Sequence, residues 1–428
     1  MSSLSFDRRH TDGLMSFVAA SPTPFHAVAE AARLLERAGF TELSETERWD
    51  AGSGGRYVIR AGALMAWFVP EGADVTRGFR VIGAHTDSPN LRVKPAPDTG
   101  SAGWRQVAVE IYGGVPHDTW LDRDLGLAGR LVTRGGKTHL VNIDEALLRV
   151  PRLAIHLDRQ VNNGQVLDAQ EHMIPLWGMG KPSDGELIAH VAQHAGLDPA
   201  EVTGWDLALH DVQPPAYLGR DRELLACPRL DNLSSVHAGV AALSAIAERP
   251  GDRIAVLAAF DHEECGSESF SGAAGPFLET VLRRLVAACG GDPQDAARAF
   301  ADSVVASSDT SHSVHPNYVD RHEPGHHPMA GGGPLLKFNA SQRYATDGVG
   351  RAIFTEACER AGVPMQTFVN RNSLPCGTTI GPITATRLGI LTLDVGIPIL
   401  SMHAVRELCA AADPAYLAAA LTEFARMP

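Results

Sequence analysis

Arg253-Ile-Ala-Val-Leu-Ala-Ala-Phe-Asp-His-Glu-Glu264 carries an unbroken apolar run straight into a polar tetrad that ends in two adjacent carboxylates. Helical spacing on both sides, over 232–248 and 276–289, marks 253–260 as a strand flanked by helices. Working outward, strands are expected at 303–308 and 391–401 and helices at 347–361 and 379–388. Towards the N-terminus, 57–70 and 78–84 read as strands, and 11–38 has helical spacing broken at Ser21-Pro22-Thr23-Pro24. Alternating strands and helices predict an α/β domain with a mixed sheet and helices on both faces.

The texture changes near residue 95. Val107–Tyr112, Leu127–Val132, Thr138–Asn142 and Leu153-Ala-Ile-His-Leu157 read as short strands between Gly-rich turns. The expected organisation is one discontinuous domain, residues 1–94 plus 225–428, interrupted by a β-rich insertion at 95–224. Residues 321–334 are too rich in Gly and Pro for a packed element and read as a loop.

The chain has 428 residues, 44% of them hydrophobic, enough for a large core. A net charge of −13 offers phosphate polyanions little attraction, so nucleic acid is not an expected partner. Six cysteines scattered without CxxC spacing read as reduced and mostly buried. The start, MSSLSFDRRHTDG, has no signal-peptide pattern and no stretch approaches a membrane span, so a cytoplasmic protein without a membrane partner is expected.

Five potential metal ligands fall at or just beyond the ends of expected strands: His85, Asp231, Glu264, Asp309 and His403. Open α/β sheets gather ligands at the carboxyl ends of their strands, so residues distant in sequence can converge there. Two imidazoles and three carboxylates suit zinc first, with cobalt or manganese as alternatives, and are too nitrogen-rich for calcium. The same set, with one hydroxide, would neutralise two dications. Glu263, beside a ligand but not needed as one, is the candidate general base. Asp87, two residues beyond His85, is placed to fix that imidazole's tautomer.

Each residue also has a plainer reading. Asp231 could cap the helix at 232–248, Asp309 could cap or turn, and Glu263-Glu264 could be a solvated helix start favoured by the macrodipole. The five together argue for metal more strongly than any one alone. A rival cluster, His322, His326 and His327, sits in the 321–334 loop without strand-end support.

Nine motifs in order carry a resemblance: Ser21-Pro-Thr-Pro-Phe-His26, Ala84–Leu91 (AHTDSPNL), Pro228-Arg-Leu-Asp-Asn-Leu233, Asp261-His-Glu-Glu264, Ser308-Asp-Thr-Ser-His312, His315-Pro-Asn-Tyr318, Gln342-Arg-Tyr-Ala-Thr346, Cys376-Gly-Thr-Thr-Ile-Gly-Pro382 and Ser401–Glu407 (SMHAVRE). Nearly end to end the chain resembles the aspartyl aminopeptidases, a branch of the dinuclear zinc peptidases. The resemblance implies removal of an N-terminal acidic residue from peptides, aspartate preferred and glutamate accepted, by a homo-oligomer that in the family is a tetrahedral dodecamer. It places His85 and Asp309 on one metal, Glu264 and His403 on the other, Asp231 between them, and Glu263 as base.

The same resemblance makes Lys337 the partner of the substrate carboxylate, where the residues alone would allow a solvated Lys at a strand edge. It sets His312 beside the substrate, and has His156 reach a neighbouring subunit's active site to stabilise the oxyanion, with the insertion as dimerisation domain. Without it, His156 is an ordinary strand residue. Thr310 and Ser311 stand where the family pattern has Met and Ala, and the surroundings of His403 also differ slightly, which touches packing rather than ligands. The rivals are a dinuclear carboxypeptidase or amide deacylase, against which Lys337 and the insertion speak, and a non-catalytic assembly or cargo protein, against which the intact base and ligands speak.

Overall fold

The computed structural model describes residues 8–50 and 52–428. The first seven residues of the N-terminal stretch read above therefore lie outside the described part. The chain divides into two compact units, one of residues 1–87, 215–402 and 407–428, the other of 88–214 and 403–406.

The larger unit is built on a nine-stranded mixed sheet. Its order is Thr41–Glu42, Gly54–Arg60, Ala63–Val69, Ile254–Phe260, Phe79–His85, Val304–Ser308, Leu391–Gly396, Leu335–Phe338 and Gln366–Val369. Ile254–Phe260, Phe79–His85, Val304–Ser308 and Leu391–Gly396 run parallel at its centre. Side chains alternate across a strand, and here both sets are apolar. Ala255, Leu257 and Ala259 face one hydrophobic cluster with Ile82 and Ala84, while Ile254, Val256 and Ala258 face another with Phe79 and Val81. Helices Arg8–Ala20, Pro24–Arg37, Leu230–Glu248, Gly348–Ala361 and Asp413–Arg426 pack into the first cluster; Phe277–Ala288, Pro293–Ala301 and Ile380–Leu388 pack into the second. The expected mixed-sheet α/β architecture with helices on both faces is what forms.

A five-stranded sheet in the same unit joins Ala216–Leu218, Leu224–Cys227, Glu407–Ala410, Pro398–Leu400 and Ser311–His312. The expected single strand at 391–401 is thus two strands in two different sheets, divided at Ile397. The expected strand at 57–70 is likewise two, because Ala61, at φ 53°, and Gly62 turn the chain into a hairpin. Helix Pro293–Ala301 escaped the sequence reading although Asp292 and Asp295 form a capping box around Pro293 at its first turn.

The second unit is a six-stranded antiparallel sheet, ordered Thr138–Leu148, Leu125–Thr133, Val202–Asp211, Asn90–Ser101, Trp104–Tyr112 and Leu176–Met179, with helix Glu186–His194 packed into its core. Leu153–Leu157 is not a strand: residues 155–157 form a turn, and Leu153, Ile155 and Leu157 are exposed. Its alternation had no partner strand to pair with. Cys227, Cys358 and Cys409 are buried thiols outside any disulfide, whereas Cys265 is exposed. Among the described residues no helix is long and apolar enough to cross a membrane.

Candidate metal centre and active site

His85 ends the central strand Phe79–His85 and is buried, with 1% of its side chain exposed. Its Nδ1 lies 3.0 Å from the Asp87 carbonyl and 3.3 Å from Asp87 Oδ1. Both are acceptors, so Nδ1 carries a proton and Nε2 is the nitrogen a cation would take. That nitrogen faces Asp231 Oδ1 at 3.3 Å, Asp309 Oδ1 at 3.5 Å and Glu263 Oε2 at 3.9 Å.

Each carboxylate arrives from a strand end. Asp309 follows Val304–Ser308, with its N–H donating to Val395 O at 2.9 Å. Asp231 lies in the first turn of helix Leu230–Glu248, where its N–H donates to Glu407 Oε2 at 3.0 Å and its peptide bond to Asn232 is cis. Asn232 Nδ2 in turn donates to Ser308 O at 2.8 Å, tying that turn to the strand bearing Asp309. The backbones of Asp231 (φ −79°, ψ 105°) and Asn232 (φ −124°, ψ 27°) are not helical, so Asp231 stands just before the regular helix.

Glu263 and Glu264 form a single 3-10 turn after Ile254–Phe260. They are not a solvated helix start: both are half-buried, and their N–H groups donate to Asp87 Oδ1 and Oδ2, each at 3.1 Å. One carboxylate therefore fixes the turn carrying the pair and the tautomer of His85.

Ligand atoms of His85, Asp231 and Glu264 lie within 4.8 Å of one another, and among the described residues this is the one such group of three. Packing several carboxylates together in a buried site requires a compensating cation. The imidazole shows the demand: burial would lower the pKa of His85, but hydrogen bonds to Asp231, Asp309 and Asp87 hold it well above its usual value. Burial pushes the Glu263 carboxyl up to about 8, opposed by His85 and reinforced by Asp309, Asp87 and Asp231. A dication among these oxygen and nitrogen donors fits the set.

His403, with φ 66°, belongs to the segment grouped with the second unit, where its Nδ1 lies 3.2 Å from the Gly114 carbonyl. That contact also leaves the lone pair on Nε2. His156 is exposed on the turn at 155–157 of the same unit. His322, His326 and His327 do not converge: His326 Nδ1 pairs with Glu323 at 2.5 Å, and His322 Nε2 accepts the His315 N–H at 3.1 Å.

Lys337 lies inside the large sheet between Leu391–Gly396 and Gln366–Val369, only 1% exposed, so it is not a strand-edge lysine. Its Nζ donates to Thr310 O at 2.7 Å, lies 5.4 Å from the Tyr344 ring, and among the described residues has no carboxylate within 4.0 Å. His312, two residues beyond Thr310, is exposed, its ring 6.1 Å from that of Phe368. The sequence reading gave no role to Glu407, whose carboxylate positions Asp231 from 176 residues away; its one signal was membership of the Ser401–Glu407 motif.

A family model described as aminopeptidase I zinc metalloprotease (M18) matches residues 17–425. A probable M18 family aminopeptidase 2 of Streptomyces coelicolor is 63% identical over 423 residues, 98% of each chain. One of Mycobacterium leprae is 47% identical over 417 residues, 96% of this chain and 97% of that one. Among solved structures, one titled as a complex of Ape4 and Nbr1 superposes with a TM-score of 0.94 at 35% identity, over 97% of this chain and 85% of that one. The S. cerevisiae mApe1 dodecamer does so with 0.86 at 30% identity, over 97% and 96%. The relatives are aminopeptidases, and the chain belongs to the M18 family of zinc metallo-aminopeptidases.

Proposed function

We propose that this enzyme removes an N-terminal acidic residue from peptides, aspartate before glutamate, using two divalent metal ions, zinc first. The observation that carries the specificity is Lys337: a buried ammonium with three donor hydrogens, one hydrogen bond and, among the described residues, no carboxylate within 4.0 Å, the charge of Asp394 on the neighbouring strand reaching it only at longer range. A buried ammonium with unused donors and no carboxylate in direct contact is costly, and a substrate carboxylate reaching Nζ would relieve that cost while a neutral side chain would not. His312, two residues beyond the Thr310 that Lys337 bonds, would receive the side chain.

His85 and Asp309 would hold one ion and Glu264 the other, with Asp231 shared; His403 joins Glu264 on the strength of its motif. When bound, the ions polarise the scissile carbonyl and make the attacking water more acidic. Glu263 takes that water's proton and returns it to the leaving amine. Its high pKa supports a proton-carrying role, and cations beside it would draw that value down. Asp87 keeps Glu263, Glu264 and His85 in register.

His156 would act in a neighbouring subunit's site, steadying the oxyanion. Its exposed turn, flanked by Leu153, Ile155 and Leu157, has the apolar character that a subunit contact covers. We therefore assign the second unit to dimerisation and expect a dodecamer, the state of the mApe1 that this chain resembles, in the cytoplasm.

The test is a zinc-loaded enzyme assayed on peptides differing only at the N-terminal residue. Asp should lead, with Lys337→Met lowering kcat/KM on Asp by about 100-fold or more and narrowing the gap to Ala. Preference of the unmodified enzyme for Leu or Ala over Asp would sink the specificity while leaving the metal centre standing.

A further inference from the structure

The larger unit holds a cavity of about 260 Å³ of which the proposed reaction uses only the His312 edge. Its wall starts at the end of strand Ser311–His312, with His312, Ser313 and His315, and continues through Phe368 and Arg371. Phe368 is the register partner of Lys337, and its ring lies 6.1 Å from Tyr344, over which Lys337 Nζ sits. The cavity thus adjoins the Lys337 pocket across Phe368, with His312 on its rim.

Its charge is the opposite of the protein's. Arg321 and Arg371 both line it, and neither has a carboxylate partner among the described residues. Arg371 is half-buried, with Nε donating to Ser373 Oγ at 2.9 Å and Nη1 to the His322 carbonyl at 3.5 Å, which leaves further guanidinium donors for another acceptor. Glu323, the single carboxylate of the lining, is already occupied by His326 Nδ1 at 2.5 Å and Gly325 N at 2.8 Å.

The imidazoles add donors. His315 Nδ1 accepts the Asn317 N–H at 3.2 Å and His322 Nε2 accepts the His315 N–H at 3.1 Å. Each neutral ring therefore carries its own N–H on the other nitrogen. Two planar guanidiniums and N–H donors around a small volume match one carboxylate, which Arg engages in a bidentate fork.

We infer that this cavity binds a second carboxylate of the peptide, on the leaving side of the scissile bond, so that the enzyme reads an anion at each end of a short substrate. This rests on the proposed aminopeptidase reaction, which puts the departing residue at Lys337 and sends the next one past His312. The carboxylate is either the α-carboxylate of a dipeptide or an acidic side chain further along.

The experiment measures kcat and KM for Asp-Ala as free acid and as amide, and for Asp-Ala-Ala-amide against Asp-Glu-Ala-amide, with the unmodified enzyme, Arg371→Gln and Arg321→Gln. The free acid should be preferred over its amide by about tenfold, mostly in KM, and the ratio should collapse in the variants. A preference confined to the Asp-Glu peptide and lost in the variants assigns the cavity to a side chain instead and equally supports it. No preference for either carboxylate, or one that both variants retain, overturns the proposal. Should Asp not be the favoured N-terminal residue, the same pairs built on the favoured one keep the two proposals separable.

Discussion

Glu263 combines two attachments: its N–H donates to Asp87 Oδ1 while its carboxylate reaches within 3.9 Å of His85 Nε2. In Glu263→Gln the backbone bond and side-chain volume survive, but the amide cannot accept a proton. We expect kcat to fall about 100- to 10,000-fold with zinc bound per chain unchanged, as measured by turnover beside metal titration. Near-normal turnover with metal bound would remove Glu263 from the base role. At this scale the sequence was most legible where chemistry and position coincide. His85 ends a strand and Asp231, Glu264 and Asp309 come shortly after one, and carboxyl ends of strands collect ligands. Glu407 and the double duty of Asp87 were not legible, because a carboxylate accepting backbone N–H groups leaves no mark on spacing.

Among the elements, the strand pair Val304–Ser308 and Leu391–Gly396 sets the reach of Asp309. Gly396 stands so close that a Cβ there would lie 1.6 Å from the Asp309 carbonyl oxygen. No rotamer relieves that, since the clash is with backbone. Gly396→Ala should therefore displace Asp309 and weaken zinc binding about 10- to 100-fold, read by calorimetric titration of the stripped protein; unchanged affinity would mean that Asp309 is not a ligand. The elements themselves were legible wherever periodicity ran over a long segment, as in 232–248 or 276–289. The reading failed where strands are defined by their partners. The 391–401 run changes sheet at Ile397, and Leu153–Leu157 alternates without any strand to pair with.

The molecule as a whole should be sensitive to acid through a pair of histidines far from the reaction in sequence. His10 and His237 stack with ring centroids 4.6 Å apart, and burial lowers His10 to about 4 and His237 well below its usual value, with their mutual repulsion adding to the latter. The unfolded chain takes up protons below pH 6.5 while the folded one does not, so stability is full above that pH and is lost as pH falls towards 4. His10→Phe should flatten the decline in unfolding free energy, measured by urea titration, between pH 6.5 and 4.5 by roughly 2 kcal/mol relative to the unmodified protein. Equal slopes would place the acid sensitivity elsewhere.

One feature of the large sheet also bears on how the enzyme is made. Val304–Ser308 lies between Phe79–His85 and Leu391–Gly396, so the strand that presents Asp309 has only one neighbour until residue 396 has been synthesised. A nascent chain leaving the ribosome therefore presents His85 and the two glutamates long before the site can close. A chain cut short before residue 396 would leave the strand that presents Asp309 paired on one side alone.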